Sequence, residues 1–253
     1  MPPNDELADP FARVKEAQAA VYDCEGARLH SELGGVARTY RVFVGNDREF
    51  QALFAHYDNN VQARLELWDT HNRDGFDAFL DEVDRLLHNY LAAATSLRDH
   101  TRRLWRQDPP PDMALTAEYD ERVKRTFADS PLANFVQRLR NYMTHSKLPV
   151  AQGKFTWEQG SGESSTVVLS KAALLEWDDW NVAARAFLDE ADDDIDLSDV
   201  LRDYTALVHD FNQWFGRAFV EGHLPAFDEL EDRTTTYNNL LHELGLVPPE
   251  AES

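Results

Sequence analysis

Arg140-Asn141-Tyr142-Met143-Thr144-His145 brings an arginine, an amide and a histidine into one short stretch. A guanidinium grips phosphate oxygens as a planar fork of donors, and an imidazole moves protons near neutral pH. The chemistry that suits such a set is metal-free cleavage of a phosphodiester. Histidine accepts a proton from a ribose 2′-OH, a second proton donor protonates the leaving oxygen, and arginine stabilises the charge that develops on phosphate. DNA lacks the internal nucleophile, so RNA is the natural substrate.

The element that must carry these groups is a helix opening at Ser130-Pro131 and stopping before Pro149. Serine caps, and proline is tolerated in the first turn. On a helical wheel, Leu132, Phe135, Val136, Leu139, Tyr142 and Met143 share the side expected to pack. Gln137, Arg138, Asn141, Thr144 and His145 share the other, with Arg140 at the boundary. Asn141 and His145 stand four residues apart and are therefore neighbours on one face. One helix offers few catalytic groups. A second copy facing it across a two-fold axis would double the arginines and histidines and build a cleft between them.

The hexapeptide resembles the signature of the HEPN superfamily, all-α domains with an arginine, commonly followed by a polar residue, and a histidine four to six positions beyond the arginine. Its catalytic members are metal-independent endoribonucleases that act as dimers, with both protomers' motifs forming one site. The resemblance implies that Arg140, Asn141 and His145 are the catalytic residues, that the protein is a homodimer acting on RNA without a cofactor, and that it serves a toxin or defence role with an antitoxin or protein partner. It spans residues 73 to 222 at most, and its specific part is the hexapeptide. Lys147 stands where one subfamily has a tyrosine, so regulation through that tyrosine is not implied. Looser spacings of the same kind occur at Arg64…His71 and Arg202…His209.

Charge narrows where RNA would lie. The chain has a formal net charge of −21, which argues against general nucleic-acid affinity. Residues 98 to 154, however, hold 11 Lys/Arg against 7 Asp/Glu, and the rest of the chain holds 14 against 39. Arg102, Arg103, Arg138 and Lys147 lie in this basic stretch and are the expected RNA-binding residues. The acidity elsewhere supports the alternative, a non-catalytic helical binding or regulatory module of a larger complex. No metal site is expected. Asp192, Asp194 and Asp196 imitate the start of a calcium loop, but Leu197 occupies the place of its required glycine. Trp177, Trp180, Phe187, Trp214, Phe215 and Phe219 read as core, and Cys24 reads as inert.

The surrounding frame reads as mostly α, an antiparallel helical bundle with a short strand near the N-terminus and one small β-hairpin. Helices are expected over 11–32, ended by Gly34-Gly35, then 75–106, 116–128, 171–190, 197–221 and 227–244. Thr39–Val44 reads as a strand, 49–70 as helical in part, and 154–158 with 166–170 as a hairpin turning at Gln159–Glu163. Two units follow: an N-terminal helix and strand segment over 1–72 packed on the bundle, and a HEPN-like helical domain over 73–253. The acidic stretch Met1–Pro10 is no secretory signal, no apolar run spans a membrane, and a single cysteine suits a reducing compartment, so a cytoplasmic protein is expected.

Overall fold

The computed structural model describes residues 9–145, 151–158 and 162–246; the side chains of 145, 151–158 and 162–165 lie outside it. Among the described residues, the N-terminal third consists of helices joined by short connections. Helix α1 (Pro10–Tyr22) is capped by Asp9, and the chain breaks at Asp23-Cys24 before α2 (Glu25–Asn59). Helix α2 runs straight through Gly34-Gly35 and through Thr39–Val44, so the expected N-terminal strand is a helix. The reason is a pattern that the short β-branched run conceals. Leu29, Val36, Phe43 and Phe50 recur every seven residues and are all buried on one side of α2. That burial outweighs three mid-helix glycines, Gly34, Gly35 and Gly45, each costing about 1 kcal/mol against alanine.

Helices α3 (Val61–Leu67) and α4 (Arg73–Gln107) follow. Helix α4 buries a continuous stripe from Phe79 to Trp105 and lies along α2, with Phe43 and Phe50 against Tyr90 and Tyr57 against Phe79. Leu29, Val36, Phe43, Phe50 and Leu67, all before residue 73, therefore share the bundle core. Helix α5 (Met113–Val123) passes directly into a π-helical turn, Lys124–Ala128, and α6 (Pro131–His145) carries the hexapeptide. A hairpin of β1 (Ala151–Glu158) and β2 (Gly162–Ser170) comes next; the middle of its turn, 159–161, lies outside the described residues.

The helix expected over 171–190 is two pieces, α7 (Lys171–Leu175) and α8 (Val182–Glu190). Asn181 caps α8 by accepting from Ala184 N–H, and Trp180 drops into the core between the pieces, donating from Nε1 to the Leu174 carbonyl at 2.8 Å. The acidic loop contains β3 (Asp194–Asp196), which adds to β2 and makes a three-stranded antiparallel sheet in the order β1-β2-β3. Helices α9 (Leu197–Gly222) and α10 (Leu224–Glu243) complete the bundle. Helix α1 packs on α10. Helix α10 also approaches α2 at Gly26, where a Cβ would lie 2.0 Å from the Ala226 carbonyl oxygen. Among the described residues no helix is long and apolar enough to cross a membrane.

One group in α4 is poorly housed. Asp84 Oδ1 is sealed from solvent without a hydrogen-bond partner among the described residues. Burial, helped by the neighbouring Asp81 charge, pushes the Asp84 carboxyl up to about 6. The folded protein thus holds this proton more tightly than the unfolded chain does. The associated stability is complete below the ordinary carboxylate range of about 3.9 and is lost as pH rises through about 6. Asp84→Asn is expected to stabilise the protein by on the order of 1 kcal/mol at about pH 8, a figure reduced for partial solvent screening, and by almost nothing near pH 4. Urea midpoints at the two pH values check this, and an equal gain at both would contradict it.

Candidate functional site

Helix α6 is held from three sides. Ser130 Oγ accepts from Ala133 N–H at 3.2 Å, closing the N-terminal cap. One turn later Asn134 reaches back with Nδ2 to the carbonyls of Phe127 and Ala128, each at 2.9 Å, and its Oδ1 accepts from Asn181 Nδ2 at 2.8 Å. This amide ties the end of the π-helical turn, α6 and α8 together. Its partners lie in separate elements, so no local pattern in the sequence marks it. The apolar side carries the weight of the packing. Phe135, Leu139 and Tyr142 are wholly buried and Val136 nearly so. Phe135 stacks between Trp180 and Phe187 with ring centroids at 5.6 and 4.4 Å. Tyr142 meets Trp177 edge-on at 5.6 Å.

Gln137 and Thr144 are exposed, while Arg138, Arg140 and Asn141 are half-buried. Arg138 Nη1 meets Asp179 Oδ2 at 3.0 Å, so this expected RNA contact already has an acidic partner in the α7–α8 connection. Thr144 Oγ1 donates to the Arg140 carbonyl at 2.8 Å. The side chain of His145, which ends the helix, and the whole of Lys147 lie outside the described residues.

Arg140 differs from its peers. Six described arginines are not fully exposed: Arg64, Arg98, Arg122, Arg138, Arg140 and Arg233. Arg64 donates to the carbonyls of Tyr57 and Asp58, Arg98 meets Asp99, Arg122 meets Glu118 and covers the Trp214 ring, Arg138 meets Asp179, and Arg233 meets Glu229. The Arg140 side chain makes no hydrogen bond or ion pair among the described residues. An anion arriving here would supply one.

No protein-family model, curated protein or solved structure matches the chain. The site must therefore be judged by its own geometry.

In the two looser arginine–histidine spacings, both side chains are engaged within the fold. Arg64 is buried as a cap on the last carbonyls of α2, and His71 is exposed beside Asp69 at 3.0 Å. Arg202 is exposed between Asp199 and Asp203, and His209 bonds Tyr40 and Gln213 across α2 and α9. The arginines on α4 divide. Arg102 edges a small hollow with Tyr119 and Phe127, while Arg103 edges a groove between α2 and α4 and meets Glu32 at 3.3 Å. Neither of these two cavities contains a residue of α6, so neither brings Arg102 or Arg103 to Arg140. Asp196 is spent on structure, accepting from the N–H groups of Ser198 and Asp199 to cap α9, and burial pushes its carboxyl up.

Proposed function

We propose that this protein is a metal-independent endoribonuclease of HEPN type that works as a dimer. The observation that carries the reading is the half-buried Arg140 side chain, unpartnered among the described residues, on a helix locked in place by buried aromatic side chains. Rigid support of this kind is what a catalytic group requires. In the proposed reaction the substrate's 2′-oxygen attacks the adjacent phosphorus as His145 takes its proton. The bond from phosphorus to the 5′-oxygen breaks, and that oxygen is protonated by the second copy's His145. Arg140 and Asn141 hold the phosphate whose charge rises in between. The products are a 2′,3′-cyclic phosphate and a free 5′-hydroxyl, so atoms and protons balance. A toxin or defence setting, with an antitoxin or protein partner, belongs to the same proposal by resemblance alone.

The test is incubation of purified wild type, Arg140→Ala and His145→Ala with a mixed RNA pool in the presence of a metal chelator. Wild type is expected to leave 2′,3′-cyclic phosphate ends, and both variants to leave the pool intact. Equal cleavage by all three would assign the activity to something other than α6.

A specific observation favours the alternative of a binding or regulatory module. A groove of about 330 Å³ beside the start of α9 is lined by Glu190, Asp192, Asp194, Asp196, Asp199 and Asp203. Such a surface suits a basic partner, and RNA would be repelled from it. An intact RNA pool under all conditions would leave this as the better reading.

A further inference from the structure

The groove between α2 and α4 has a volume of about 610 Å³ and a character unlike the rest of this acidic molecule. One end presents Arg38, His100 and Arg103 against a single carboxylate, Glu32. Glu32 engages Arg103 at 3.3 Å, while Arg38 makes no hydrogen bond or ion pair among the described residues. The imidazole is oriented. Thr39 Oγ1 lies 3.1 Å from the Gly35 carbonyl and 2.8 Å from His100 Nδ1. A carbonyl can only accept, so the single hydroxyl proton goes to Gly35 and His100 Nδ1–H donates to Thr39 Oγ1. That leaves Nε2 free, a lone-pair acceptor in the neutral ring and, in the imidazolium form, the N–H donor that an acid group needs.

The other end of the groove holds amides. Asn46 spends Nδ2 on the Val42 carbonyl at 2.9 Å and keeps Oδ1 available. Asn89 is half-buried, and its side chain makes no hydrogen bond among the described residues. The groove is shallow-walled where Gly35, Ala92 and Ala93 line its floor. The monomer supplies no tight steric reason for glycine at 35. A Cβ there would meet only Arg38 Nη2, at 3.7 Å, whereas at Gly26 or Gly222 it would collide at 2.0 or 2.5 Å.

We propose that this groove is a ligand site, separate from α6, for a small organic anion. Its acid group meets Arg38, His100 and Arg103, and its body runs over Gly35 and Ala93 toward the amides of Asn46 and Asn89. The volume falls within the range of about 300–1,000 Å³ usual for small-molecule sites. Guanidinium–acid contacts are the strong, charge-assisted kind.

The probes are citrate and pyrophosphate, titrated into the full chain at low ionic strength. The readout is the nuclear magnetic resonance signals of the Arg38 and Arg103 Nε–H groups and the His100 ring. Saturating shifts with a Kd below about 1 mM are expected. Arg38→Gln combined with Arg103→Gln is expected to weaken binding at least about tenfold, while Arg217→Gln, an exposed arginine outside the groove, leaves it unchanged. Gly35→Leu, which fills the floor and removes no charge, is expected to weaken citrate binding similarly. Shifts that rise without saturating would overturn the site as mere ion screening. Saturable binding that survives the double variant or Gly35→Leu would overturn it too, by placing the anion elsewhere.

Discussion

Arg140→Ala is expected to lower RNA cleavage by about 10²–10³-fold while leaving folding stability within about 0.5 kcal/mol of wild type. The two halves of this expectation have one cause. The Arg140 side chain has no hydrogen bond or ion pair among the described residues, so truncation breaks none there. Its positive charge would be used only when a phosphate is present and most when that phosphate gains charge. Losing one such donor removes about 2.7–4 kcal/mol of transition-state stabilisation. Arg138 gives the contrast, because its truncation strips Asp179 of a partner at 3.0 Å. Chemical denaturation beside a cleavage assay separates the two roles. A large stability loss in Arg140→Ala would show a structural arginine, and an unchanged cleavage rate would remove it from the reaction.

Phe135→Ala is expected to cost about 3–5 kcal/mol of folding free energy. The ring is wholly buried and stacks with Trp180 and Phe187 at interplanar angles of 21°. Alanine would open a cavity where α6, α8 and the loop carrying Trp180 meet, and rigid neighbours collapse into such a space only in part. Cleavage should fall as well, since α6 would lose the packing that fixes its polar face. Guanidinium denaturation midpoints measure the loss. A change below about 1 kcal/mol would mean that the aromatic stack is not what anchors the helix.

Local signals in this chain are legible and distant ones are not. The start and the buried face of helix α6 can be read, because its cap, its first-turn proline and its apolar spacing lie within a few residues of one another. The stripe of α4 is legible for the same reason. Helix α2 is not. Gly34-Gly35 and the run Thr39–Val44 are short-range signals for a stop and a strand, and they mask Leu29, Val36, Phe43 and Phe50, whose seven-residue recurrence is visible only over a longer window. The division of 171–190 is signalled by Asn181, a cap residue in front of Val182, which an apolar count alone passes over. At the candidate site, the sequence indicates which face of α6 is polar. It does not reveal that Arg138 faces Asp179, 41 positions away, or that Arg64 is folded inward onto carbonyls of the preceding helix. Those pairings exist only once the chain has folded, and they are what distinguish Arg140 from the other half-buried arginines. Arg102 and Arg103, adjacent in sequence, open onto different cavities, because neighbouring positions on a helix point about 100° apart.

At the centre of the proposed function, α6 serves an attack by the ribose 2′-hydroxyl on its own neighbouring phosphate. The most direct measurement uses an RNA cut by the wild-type protein at a mapped position and the same strand with a single 2′-deoxy nucleotide at that position. Cleavage at the modified linkage is predicted to disappear while cuts elsewhere persist. Unimpaired cleavage at the deoxy linkage would contradict the mechanism, because the attacking oxygen would then have come from somewhere other than the sugar.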